Sequence, residues 1–215
     1  MAGTITSLVV QKNNKERVNV FIDGEFAFGL ALSEALRLRK GQQLTDEEIA
    51  RLKAFDELEV AHERALHYLS YRQRSTAELR RYLLGKEFSE QAVETVIERL
   101  ERAGLLDDAA FARLWIESRL QANPRGERAL RHELRQKGIP ETIIRAALAD
   151  LDQQEAAYRA AIQRASRYAG SDEATFRKRL GDFLLRRGFD FATARDAVER
   201  LWNELKHDEN EPDSD

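Results

Sequence analysis

The residue types able to do chemistry are sparse in this chain of 215 residues, which holds no cysteine and four histidines. Without cysteine there is no disulfide, no thiol nucleophile and no thiolate zinc site. His62 and His67 flank Glu63 in a pattern close to a zincin motif. Five helical positions, however, turn their rings ~140° apart, onto different faces. His132 and His207 stand alone. There is no G-x-x-x-x-G-K-[ST] loop, no G-x-G-x-x-G loop and no G-x-S-x-G elbow, so the usual phosphate cradles and serine nucleophile are missing. The many carboxylates lie among basic residues on helical stretches, where their ordinary role is a solvated face. No catalytic residue, metal or cofactor is expected.

Arginine is the functional group in surplus. Of 35 basic residues, 27 are arginine and 8 lysine. The planar guanidinium suits bidentate contact with phosphate or carboxylate. A formal net charge of -3 speaks against a nucleic-acid partner, but the charge is unevenly spread. Residues 109–154 hold eight basic and six acidic side chains, residues 155–206 eleven and eight, and residues 207–215 five acidic and no basic ones. The acidic end thus masks a basic stretch and is expected to shield it. The candidate partner-binding residues are Arg125, Arg128, Arg131 and Arg135, then Arg177, Lys178 and Arg179, then Arg186 and Arg187. Arg128, Arg131 and Arg135 share one helix face, away from Leu130 and Leu134. Two readings stay open for them: salt-bridged solvated faces, or a basic surface for a nucleoprotein or an acidic protein. Phe111, Trp115 and Arg119 recur at helical spacing and are read as a core-facing aromatic pair flanked by an arginine, in preference to a stacking stripe.

These side chains need a scaffold. Residues 1–58 open with three β-favouring runs around Ile5–Val10, Val18–Ile22 and Phe26–Leu30. Asp23-Gly24 between the last two is a tight-hairpin signal, because both positions tolerate positive φ. A small three-stranded antiparallel meander follows, and three short strands need a helix to pack on. Thr45 and Glu48 have capping-box spacing and start that helix. From there to Lys206 the pattern is helical almost without a break. Residues 207–215 are acidic, contain proline and lack periodicity, and are expected to be a disordered tail.

The helical part repeats itself. Shifting residues 75–100 by 51 sets Leu79, Leu83, Lys86, Phe88, Ile97 and Leu100 on Leu130, Leu134, Lys137, Ile139, Leu148 and Leu151. A further shift of 50 reaches Leu180, Leu184, Arg187, Phe189, Val198 and Leu201. The paired leucines, one turn apart, must face a core. The basic residue marks the helix end, Gly138 and Gly188 suit the left-handed position after it, and the next apolar residue folds back. Ser89, Pro140 and Asp190 then start another helix. An earlier helix opens each copy, over 61–71, 109–121 and 156–168. Residues 59–108, 109–154 and 155–206 are therefore three tandem three-helix repeats, which predicts a mainly α, elongated and curved molecule. Ser75 with Glu78 makes a second capping box, and Asp107-Asp108 caps the helix carrying Phe111 and Trp115.

These residues resemble a known family. Gly104-Leu105-Leu106-Asp107-Asp108, Phe111-Ala112, Trp115 and Arg119 look like the central motif of the RecX regulatory proteins. So do Gly126, Leu130, Glu133-Leu134 and Lys137-Gly138-Ile139 downstream, and Ala65-Leu66, Arg72-Gln73-Arg74-Ser75 and Glu78-Leu79 upstream. The resemblance covers about residues 59–205. The N-terminal meander lies outside it and is similar to extensions on longer members. The resemblance implies a non-enzymatic modulator of the RecA recombinase, built of three tandem three-helix repeats. It implies binding in the groove of the RecA–single-stranded-DNA filament and inhibition of ATP hydrolysis, strand exchange and co-protease action on the LexA repressor. DNA repair, homologous recombination and the SOS response are the implied setting. It carries no catalytic residues over.

The expected partner is thus the RecA nucleoprotein filament. The alternative is a helical-repeat protein that binds single- or double-stranded DNA directly, through basic clusters on helix-turn-helix-like units. A scaffold without a nucleoprotein partner is a third reading. No stretch approaches 18 uncharged apolar residues, and the N-terminus lacks a basic segment before an apolar core. No membrane partner is expected, and a cytoplasmic monomer is.

Overall fold

The computed structural model of the chain describes residues 2–168 and 170–210, the side chains of residues 207–210 excepted. Two compact units emerge: Met1–Gln73 with Leu79–Leu106, and Arg74–Glu78 with Asp107–Asp215.

The first unit opens with strands β1 (Gly3–Val10), β2 (Arg17–Ile22) and β3 (Glu25–Ala31). They pair antiparallel as the expected meander, with Val20 opposite Leu8 and Phe28. Asp23 and Gly24 have φ of 51° and 93°, as a two-residue hairpin turn demands. A short helix α1 (Leu32–Ala35) follows, and then β4 (Gln43–Leu44), which pairs with Gly3 and Thr4 at the free edge of β1. The sheet order is β3-β2-β1-β4. Sequence patterning misses β4, because two residues carry no alternation to read. One face of the sheet contributes Ile5, Val18, Val20, Phe28 and Leu30 to a core closed by Ala35, Leu44 and Ile49.

Helix α2 (Asp46–Ser70) starts at the capping box: Glu48 N–H donates to Thr45 Oγ1 at 3.2 Å, and Thr45 N–H to Glu48 Oε2 at 2.8 Å. The hydrogen bond from the Thr45 backbone, foremost, holds the Glu48 carboxyl below its ordinary value. The helix then runs 25 residues unbroken. The helix that closes the sheet and the opening helix of the first repeat are therefore one element. An ion pair of 2.6 Å between Arg17 and Asp56 ties it to β2. Helices α3 (Thr76–Leu84) and α4 (Glu90–Arg102) complete the first repeat. Its core holds Ala61, Ala65, Leu79, Leu83, Val96 and Leu100.

The second unit holds α5 (Asp108–Ala122), α6 (Glu127–Gln136), α7 (Glu141–Leu148), α8 (Gln153–Ala165), α9 (Glu173–Arg186) and α10 (Phe191–Asn210). Helix α10 takes in residues 207–210; residues 211–215, the rest of the expected tail, lie outside the described residues. Helices α5–α7 enclose Phe111, Ile116, Leu130, Leu134 and Ile144, and α8–α10 enclose Phe176, Leu180, Leu184, Phe189 and Val198. The six leucines at the repeat's paired positions are all fully buried. Each such side chain stabilises the fold by roughly 2 kcal/mol. Side-chain caps at Ser89, Asp107, Asp152 and Asp172 start α4, α5, α8 and α9.

Candidate partner-binding surface

The basic clusters divide once the structure places them. Arg128, Arg131 and Arg135 do share one face of α6, but their surroundings differ. Arg131 lies 2.5 Å from Glu127 and also pairs with Glu141, and Arg135 lies 2.9 Å from Glu141. These two arginines fasten α6 to the first turn of α7. Hydrogen bonds from Arg135 and then Arg131 hold the Glu141 carboxyl below its ordinary value, and those to Glu127 and Glu141 raise Arg131. Arg128 is exposed, and its side chain has no acidic partner among the described residues.

On α9 the pattern recurs. Arg177 pairs with Glu173 one turn earlier at 2.9 Å. Arg179 lies 6.0 Å from the ring centroid of Tyr168. Lys178 and Arg186 are exposed, with no ion pair among the described residues. Arg187 is half-buried and donates to the Asn123 side-chain carbonyl. Of the nine candidates, then, Arg128, Lys178 and Arg186 present free charge, and the others also have partners within the unit.

The aromatic pair packs as read. Phe111 is buried, and its ring stacks on Trp115 at 5.9 Å. Trp115 is half-buried, and its ring has the guanidinium of Arg119 at 4.4 Å and the ammonium of Lys137 at 5.0 Å from its centroid. Each such cation over a ring is worth about 1 kcal/mol, and more where water is excluded. Glu133 gathers the group. Its carboxylate accepts from Trp115 Nε1 at 2.8 Å and Arg119 Nε at 2.8 Å, and pairs with Arg125 at 2.6 Å. The motif residues Trp115, Arg119, Glu133 and Lys137 thus converge on one cluster. Its role is to hold α5 against α6.

Two close approaches complete the arrangement. Ser75 Oγ donates to the Lys137 carbonyl at 2.6 Å, and Lys137 Nζ lies 2.8 Å from Glu78. Fifty-one residues on, Gly126 N–H donates to the Arg187 carbonyl at 3.0 Å, and Arg128 N–H to the Gly188 carbonyl at 3.3 Å. Each places the start of one helix on the end of another, and both belong to the second unit.

Sequence patterning also overlooked Arg164. It stands singly in the mixed-charge helix α8, where spacing offers no signal. Its guanidinium lies 5.4 Å from the ring centroid of Phe183, which Arg187 also covers at 4.8 Å. Elsewhere, His67 Nε2 lies 3.0 Å from the Tyr71 hydroxyl, and His132 Nε2 2.9 Å from Gln136 Nε2. Among the described residues no group of three or more histidines and carboxylates could hold a metal ion, and no helix is long and apolar enough to cross a membrane.

Comparison with known proteins accounts for nearly the whole chain. Residues 3–45 match the regulatory protein RecX N-terminal domain. Residues 61–100, 107–148 and 151–198 match the first, second and third three-helix domains of RecX. The regulatory protein RecX of Bacillus licheniformis is 33% identical over 87% of this chain and 73% of its own length. That of Bacillus subtilis is 32% identical over 96% and 79%. A crystal structure of regulatory protein RecX superposes with a TM-score of 0.69 at 30% identity, over 89% of this chain and 96% of that one. The N-terminal sheet, which the resemblance left aside, is thus a family domain, and from β1 to α10 the chain belongs to the RecX family.

Proposed function

We propose that this protein is a non-catalytic regulator that binds the RecA–single-stranded-DNA filament as a monomer in the cytoplasm. There it restrains ATP hydrolysis, strand exchange and the co-protease action of the filament during DNA repair, homologous recombination and the SOS response. One observation carries the reading: all four RecX domains are present in order and span the chain. The unpaired cations of the second unit support it, since a filament of protein carboxylates and DNA phosphates is an acidic partner. Several separate contacts of modest strength add up through avidity on a repetitive partner.

RecA ATPase on single-stranded DNA tests the proposal. Substoichiometric protein should lower the rate, and an unchanged rate at every ratio would overturn the reading. The face of α6 is tested by Arg128→Glu alone, because Arg131 and Arg135 also hold α7. Inhibition should weaken about tenfold, the equivalent of roughly 1.4 kcal/mol.

A further inference from the structure

Two arginines from separate segments of the second unit meet at one aromatic ring, and the charge of a third bears on one of them. The guanidinium groups of Arg164 (α8) and Arg187 (the end of α9) both lie within 5.4 Å of the Phe183 centroid. Arg187 also donates to Asn123, the residue that ends α5. Arg125 follows two residues later. Burial, foremost, and the charges of Arg125 and Arg164 hold the Arg187 guanidinium below its ordinary value, which places Arg187 within the field of both.

The described residues neutralise little of this charge. The carboxylate beside Arg125 is Glu133, which Arg119 shares. Arg164 and Arg187 have no acidic partner among the described residues. The Nε atoms of Arg125 and Arg164 are buried and make no hydrogen bond. A buried donor without an acceptor costs about 1–3 kcal/mol, so a folded protein rarely leaves one unless something else completes it. Both donors sit on arginines whose charge bears on Arg187, and the three groups together suit an anion.

We propose that Arg125, Arg164 and Arg187, with the amide of Asn123, form an oxyanion site that takes a backbone phosphate of a nucleic-acid strand. Donors arrive from the α5–α6 connection, from α8 and from the end of α9. A tetrahedral phosphate accepts from three directions, whereas a carboxylate accepts mainly in its own plane. The site rests on the regulatory reading above in one respect: it gives the filament's DNA strand a place to lie.

The experiment leaves RecA out, so its outcome is separate from that of the ATPase assay. Binding of a fluorescein-labelled oligothymidylate to the full chain is followed by anisotropy across a salt series. Arg164→Gln should bind about tenfold more weakly, with the slope of log K against log salt reduced by about one. Arg164→Lys keeps the charge but loses the fork, so it should retain the slope and lose about threefold in affinity. Thermal unfolding of each variant establishes that it is folded; should the glutamine variant fail to fold, the lysine variant decides. Wild-type affinity and slope in the folded variants would overturn the site. Displacement of the oligonucleotide by a short polyglutamate, but not by inorganic phosphate, would overturn the phosphate assignment in favour of an acidic protein segment.

Discussion

Three helix ends in this molecule follow one plan and differ in chemical kind at the middle residue. Helix α3 ends in Lys86-Glu87-Phe88, α6 in Lys137-Gly138-Ile139 and α9 in Arg187-Gly188-Phe189. In each, the third residue's N–H reaches back to the carbonyl of the paired-position leucine, at 3.4, 3.1 and 3.2 Å. In each, the middle residue is left-handed, with φ of 65°, 78° and 88°. An ordinary residue in that conformation costs roughly 1–2 kcal/mol, which is tolerable. The difference lies across from the backbone. A Cβ on Gly138 would sit 2.3 Å from the Ala77 side chain, and one on Gly188 would sit 2.5 Å from the Ala129 nitrogen. Glu87 is exposed. Left-handed geometry alone does not select glycine here. Close docking does.

The docking partners differ in the same instructive way. Ser75 reaches the Lys137 carbonyl with a side chain, whereas Gly126 reaches the Arg187 carbonyl with its own backbone. Gly126 has an ordinary φ of -73°, yet a Cβ there would lie 2.3 Å from the backbone of Gly188 and Phe189. The third repeat breaks the series. Its counterpart of Ser75 and Gly126 is Phe176, fully buried within α9, and the helix starts earlier at its Asp172 cap. The third repeat fills the position with core instead.

Gly126→Ala should break this comparison most severely. Two backbones would have to part, and the expected loss is about 3 kcal/mol, read as a lower urea midpoint. Ser75→Ala removes a buried hydroxyl that caps α3 and satisfies the Lys137 carbonyl. About 2 kcal/mol should go by the same measurement. Glu87→Gly should move the other way, raising stability by about 0.5 kcal/mol, since relief of the left-handed strain is partly offset by a freer unfolded chain. A loss on Glu87→Gly would mean that the glutamate side chain has a role the comparison denies it.

The smallest effect concerns acid. Hydrogen bonds from Thr193, side chain first and then backbone, hold the Asp190 carboxyl below its ordinary value. A depressed carboxyl stabilises the fold above its unfolded pKa, and that contribution is lost as pH falls through the lower folded value. Stability should therefore decline below about pH 4. Asp190→Asn should flatten that decline in urea midpoints taken between about pH 6 and about pH 3.

Much of this was legible in the sequence because its cause is local. The Thr45–Glu48 and Ser75–Glu78 boxes, the Asp107 cap, the Asp23-Gly24 turn and the paired leucines each declare themselves within a few residues. The two close approaches were not legible, since residues 75 and 137 or 126 and 187 lie some sixty positions apart and nothing at either place announces the other. Spacing gives glycine at 138 and 188 a conformational reason alone; the reason it cannot be replaced lies in the neighbour. The basic clusters were legible as composition but not as chemistry. Sequence spacing put Arg131 and Arg135 beside Arg128, and only the structure shows Glu141 occupying both. Arg164 carried no signal, because its importance comes from Phe183 and Arg187 on another helix.

The unbroken run of α2 has a consequence for how the first unit can be cut. At about 1.5 Å per residue its 25 residues form a beam of roughly 37 Å, with the sheet on one end and the first three-helix domain on the other. There is no hinge between those domains. Severing the chain near residue 58 would leave Ile49 and Leu52 without the rest of their helix, and Ala61 and Ala65 without the turn that precedes them. The sheet and the first repeat should melt as one cooperative block, so a family domain that looks detachable by its boundaries is welded in place by a shared backbone.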